Sequence, residues 1–151
     1  MATAEQAHVD AAGERGEEAA GEDILAAGEI SPRRRRSRNI LSVAFIAAGI
    51  NHFISPKFYE AMVPPPLDRQ AGPVVAISGV AEIAGGLGVL LPFTRRLSGA
   101  GLVALLIAVF PANIYMAMEP ERFKKVPRWG LLARLPLQPL MMWWAWSATR
   151  R

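Results

Sequence analysis

Five polar side chains interrupt otherwise apolar stretches of this sequence: Asn51, His52, Glu82, Asn113 and Gln138. Glu82 is the only formal charge between Arg69 and Arg95. An ionisable group at membrane depth costs roughly 3 kcal/mol or more, so it faces a protein interior and has a task. A carboxyl in this setting suits proton exchange or the anchoring of a ligand; the alternative is a hydrogen bond that ties helices together. Ser78 and Gly86 flank Glu82 at four-residue spacing, so its helix face is small and suits either close contact or a pocket. His52 and the amides of Asn51, Asn113 and Gln138 can hydrogen-bond a ligand carbonyl or one another. Pro111 stands two residues before Asn113. It cannot donate to the Ile107 carbonyl, which predicts a helix kink one turn below that asparagine.

Other chemistries are excluded by what the chain lacks. It has no Cys, so disulfides, thiolate metal sites, iron–sulfur clusters and thiol nucleophiles within the chain are ruled out. One His in the apolar stretches cannot supply two haem ligands. No spacing of His or acidic residues suggests a metal site, and no glycine-rich phosphate loop or serine nucleophile elbow is present. No residue is assigned as catalytic, and no intrinsic cofactor is expected.

The elements that must position the five side chains follow from the charge pattern. Apolar residues make up 52% of the 151, with 13 Gly besides, which is high for a soluble domain. Residues 39–56 carry no charge, 70–94 only Glu82, 97–118 none and 130–149 only Arg134. Crossing about 30 Å of hydrocarbon takes about 20 apolar residues at 1.5 Å each. The sequence therefore predicts an all-α, polytopic membrane protein, an antiparallel four-transmembrane-helix bundle with helices at about 39–55, 72–92, 97–118 and 131–149. Glu82 then lies about 15 Å deep, and all five polar side chains fall in the middle or outer half of the bundle.

Residues 1–38 are expected to be a disordered acidic tail that ends in an arginine cluster. Met1–Ile30 holds eight acids, one base and few large aliphatic residues, too little to offset its ordering entropy. It does not read as a signal peptide, which needs a basic start followed by an apolar run. The pI near 10.1 averages this acidic segment and a basic remainder, so no nucleic-acid partner is expected. Arg33 to Arg36, Arg38, Arg95, Arg96, Arg150 and Arg151 all fall on one side of the bundle. That places both termini in the cytoplasm and the chain in the cytoplasmic membrane. Lys57, Arg69, Arg122, Lys124, Lys125, Arg128 and Arg134 oppose this bias from the other side. Ala100, Ala104, Ala108 and Ala112 form a small-residue stripe expected to pack against a neighbouring helix. The loop Ser55–Gln70 reads as a lid over the polar cluster, with Pro64, Pro65 and Pro66 as a stiff extended element.

Several segments together resemble the DoxX-like family of small bacterial membrane proteins. They are Gly49–Phe53, Pro56 with Phe58 and Tyr59, Val63–Pro65, Ser78–Gly86, Pro92 with Thr94–Arg96, Val109–Ala117 and Arg134–Gln138. The resemblance covers Asn39 to about Ala148 and implies a four-helix membrane fold. It also implies an association with membrane redox complexes, since the family's name comes from a subunit linked to thiosulfate oxidation by quinone. Three functions fit these readings. The first is a redox-associated subunit that holds a quinone or similar apolar ligand in an outer-side polar pocket. There Glu82 exchanges protons, His52 and Asn113 hydrogen-bond a carbonyl, and a partner subunit carries the redox cofactor. The second is a small proton-coupled transporter, gated at Glu82 and Pro111. The third is a non-catalytic scaffold or assembly factor docked through its acidic tail. Expected partners are the lipid bilayer, a membrane redox subunit and a second copy of the chain.

Overall fold

The computed structural model describes residues 31–150 and is all-helical, with no strand among the described residues. Among the described residues, those from 36 onward form one compact unit. The expected disorder of the acidic segment falls outside the described residues. Four long helices carry the fold: α1 (Pro32–Ile54), α3 (Ala71–Leu90), α4 (Arg95–Met118) and α5 (Arg128–Thr149). A one-turn helix, α2 (Pro56–Glu60), and a 3₁₀ helix at Pro65–Gln70 connect α1 to α3. A second 3₁₀ helix, Pro120–Phe123, begins the connection from α4 to α5.

Two helix starts differ from the sequence expectation. Helix α1 begins at Pro32 rather than near Asn39, so the arginine cluster is helical. Proline suits a first helical turn, where its missing N–H would have no partner anyway, and arginine is a good helix former. Helix α5 begins at Arg128, directly after the extended Pro127, and runs on through Pro136 and Pro139. The proline triplet is also corrected. Only Pro64 is extended, at φ −69° and ψ 156°, while Pro65 and Pro66 open the 3₁₀ helix. A proline φ near −65° serves both conformations.

Close backbone approach joins the long helices, and successive ones run antiparallel. The α1–α3 seam is built on Gly49 and Gly79, and the Ser42 hydroxyl donates to the Gly86 carbonyl at 2.7 Å across it. Gly85 and Gly88 of α3 face Leu102 and Ser98 of α4, and Gly99 of α4 faces Thr149 of α5. At the tight α3–α4 turn, the Thr94 hydroxyl donates to the Gly88 carbonyl at 2.8 Å, and Arg95 Nε donates to the Val89 carbonyl at 3.2 Å. These bonds satisfy carbonyls that a helix end leaves without an intrahelical donor.

Half of the alanine stripe stands apart from this packing. Ala100, Ala104 and Ala108 are exposed and Ala112 is half-buried. The fourfold spacing was read correctly as one helix face: Ala100 and Ala104 face outward, while Ala108 and Ala112 line a cavity and Ala112 packs against Met116 and its neighbours. The small residues that bring backbones together are glycines of α1, α3 and α4.

The buried core has two parts. Leu41, Phe45, Val89, Leu102 and Ala145 form one cluster near the α3–α4 turn. Met62, Met116, Phe123 and Leu131 form the other at the opposite end, under Phe58 and Tyr59. Outside, large apolar side chains on all four long helices are exposed, among them Val43, Ile77, Ile107 and Leu140. Two helical stretches, Pro65–Leu90 and Arg95–Met118, are long and apolar enough to cross a membrane.

Candidate functional site

Between the two core clusters lies a cavity of about 470 Å³. All four long helices line it, and Tyr59, Met62, Val63 and Leu67 from the α1–α3 connection line the end nearest that connection. Among the predicted residues, His52, Glu82, Pro111, Asn113 and Gln138 line this cavity together, and Asn51 does not. Successive residues on a helix differ by about 100° in direction. With His52 pointing inward, Asn51 therefore faces out, and it is exposed. It acts at one remove: Asn51 Nδ2 donates to the Tyr59 hydroxyl at 2.9 Å, and the Tyr59 ring stacks on His52 at 3.8 Å.

One wall carries His52 and Glu82, brought together by the Gly49–Gly79 seam one helical turn away. His52 Nδ1 donates to the Ala48 carbonyl at 2.9 Å, since a carbonyl can only accept. The same nitrogen lies 3.7 Å from Glu82 Oε2, inside ion-pair range but too long for a hydrogen bond. Glu82 is 9% exposed, and its Oε2 is buried with no hydrogen-bond partner among the described residues. A buried polar atom left in that state costs about 1–3 kcal/mol. An unsatisfied group of this kind in a native fold calls for an explanation, and a ligand that bonds it is one.

The facing wall is a chain of donors. Arg134 Nη1 reaches Asn113 Oδ1 at 3.5 Å, and Asn113 Nδ2 donates to Gln138 Oε1 at 2.6 Å. Gln138 Nε2 in turn donates to the Leu106 carbonyl. That carbonyl adjoins Ile107, the residue whose own carbonyl Pro111 cannot serve. Helix α4 remains continuous through Pro111, and Gln138 supplies a side-chain donor to the turn the proline weakens.

Arg134 and Tyr59 belong to this site and were not among the predicted residues. In the sequence Arg134 counts as a blemish in an apolar stretch. Its four-residue spacing from Gln138, which puts both on one helix face, was the available signal. Nothing in the sequence marks Tyr59 as the residue that stacks on His52. Among the described residues, no group of three or more His, Asp and Glu side chains could hold a metal ion.

Fold and site together define a small helical protein with a largely apolar cavity that carries a few polar side chains under a short helical roof. The model of a family described as a domain of unknown function, DUF8561, matches residues 41–149, and the chain belongs to that family. The matched region contains the whole cavity. No curated protein matches the chain, and no solved structure does.

Proposed function

We propose that the chain is a four-span protein of the cytoplasmic membrane whose cavity binds an apolar ligand with a polar head, of the quinone type, for a membrane redox partner. The observation that carries this reading is the buried, unbonded Glu82 Oε2 facing a donor-rich wall across one cavity. A volume of about 470 Å³ lies within the range of roughly 300–1,000 Å³ typical of small-molecule sites. A ring with oxygens at opposite ends suits the two walls. One oxygen accepts from Arg134 or Asn113, and the other, as a hydroxyl, donates to Glu82. The remaining lining is mostly aliphatic, including Ala44, Val75, Leu106 and Leu137, and suits a hydrocarbon tail. The resemblance to the DoxX-like family supports the same assignment.

Four spans are favoured over two by the exposed surface. Ile40, Val43 and Ile50 on α1, and Leu132, Leu137, Leu140 and Trp143 on α5, are as exposed as their counterparts on α3 and α4. Water would penalise that surface at about 25 cal/mol per Å². Arg36, Arg38, Arg95, Arg96 and Arg150 share one end of the bundle, which supports a cytoplasmic location for that end. Electrons must come from a partner subunit, because the chain offers no thiol or paired His ligands. Its own contribution is to hold the ring and exchange a proton at Glu82.

The test is extraction in mild detergent, followed by absorbance and mass spectrometry of co-purified small molecules from wild type and Glu82→Gln. A quinone present in wild type and depleted in the variant is the expected result. Bulk lipid alone in both samples would refute the ligand reading and leave a scaffold role.

A further inference from the structure

A second groove, of about 740 Å³, lies on the surface at the end of the bundle that carries the cavity roof. Two connections distant in sequence build it. Lys57 comes from α2, and Arg122, Lys124 and Lys125 come from the link between α4 and α5. The lining holds these four bases against one acid, Glu121, whose carboxylate is 3.7 Å from Lys124 in an exposed pair. Gathering like charges around one groove raises the energy of the empty protein, and an anion seated there relieves it. Arg122 is held in place: Nη1 donates to the Tyr115 hydroxyl at 2.6 Å, and the guanidinium lies 5.6 Å from that ring's centre. The lining also includes Phe58 and the buried Phe123, whose rings meet edge to face at 6.3 Å.

We propose that this groove binds the phosphate of an anionic phospholipid headgroup. Lysine supplies point charges and arginine a planar fork, the two donor types that suit phosphate oxygens. The groove begins where the exposed apolar surface ends, at Ile54 (72% exposed) and Met118 (73% exposed), the last residues of α1 and α4. A lipid seated there can lay its chains along those helices while its phosphate meets the bases. A soluble phosphate gains nothing from that apolar margin. The site also accounts for bases that oppose the expected orientation bias, because it gives them a role unrelated to topology.

This proposal rests on the membrane reading, and the experiment separates the two. The full chain is first partitioned between a detergent phase and water. It is then reconstituted in nanodiscs of phosphatidylcholine with a minority of phosphatidylglycerol, and retained lipid is counted by native mass spectrometry. Wild type is compared with the triple variant Lys57→Gln, Lys124→Gln, Lys125→Gln and with Arg95→Gln, Arg96→Gln at the opposite end. Selective retention of phosphatidylglycerol is expected, reduced at least tenfold in the triple variant and little changed in the double. Equal retention in wild type and the triple variant would overturn the proposal, as would an equal loss in the double variant. Displacement of the lipid by millimolar inorganic phosphate would overturn it too, by showing a soluble-anion site. A chain that stays in water refutes the membrane reading as well. One that enters detergent without lipid preference refutes only the headgroup site.

Discussion

Replacing Gly49 with alanine is a direct probe of the seam that holds His52 against Glu82. A methyl group at that position would stand 2.6 Å from the Gly79 carbonyl oxygen and 2.7 Å from Ile83 Cγ1. Ordinary carbon contacts lie near 3.5–4.0 Å, so α1 and α3 must separate by roughly 1 Å. Ile83 can rotate, but the Gly79 carbonyl is backbone and cannot. Overpacking of this kind costs about 1–3 kcal/mol. Alanine also gains about 1 kcal/mol over glycine in helix propensity, which would mask part of the clash. Gly101→Ala supplies the correction, because a methyl group there meets nothing within 4 Å. The propensity gain is common to both variants, so their difference isolates the clash at about 1–3 kcal/mol. That corresponds to about 5–150-fold in the unfolding equilibrium. Reversible unfolding in mixed micelles, followed by circular dichroism, measures it. Gly49→Ala should be the less stable of the two, and Gly101→Ala no less stable than wild type. Equal stabilities would refute the close approach of α1 and α3, and with it the placement of His52 beside Glu82.

Further outcomes follow from the cavity walls. Gln138→Leu removes the partner of Asn113 Nδ2 and the side-chain donor to Leu106; a loss of about 1–3 kcal/mol is expected from the buried donor left behind, read in the same unfolding assay. Tyr59→Phe keeps the ring stacked on His52 and removes only the hydroxyl bonded by Asn51, so bound ligand should stay within about twofold of wild type, given the modest net worth of one exposed hydrogen bond. Tyr59→Ala opens the roof, and a cysteine introduced at Met62, buried in wild type, should label faster in that background than alone.

Much of this arrangement was legible in the sequence, because length and charge alone set the elements. Four nearly charge-free stretches became four long helices, and Glu82, His52, Asn113 and Gln138 converged as their depths required. Depth, however, says nothing of rotation about the helix axis. For that reason Asn51 was grouped with His52 although it faces outward, and Ala100 and Ala104 of α4 were assigned to a contact that glycines make. Pro32 starts a helix, and Pro136 and Pro139 lie within one. Arg134 was missed for a related reason: a charge in an apolar stretch was weighed against membrane insertion, and not as the cation of a cavity wall.

The interior prolines of the long helices are unevenly placed. Pro111 lies in the half of α4 beside the cavity, Pro136 and Pro139 lie near the middle of α5, and the end of the bundle at the α3–α4 turn has no interior proline. Each removes a backbone hydrogen bond from its helix. The molecule is therefore mechanically graded, with an unbroken base that includes the Leu41–Phe45–Val89 cluster and a more compliant crown around the cavity. On the proposed function, such grading lets the crown open to admit a bulky ring without loosening the base. Its signature would be a gradient of amide exchange along α4 and α5, steep in the empty protein and flattened when the cavity is filled.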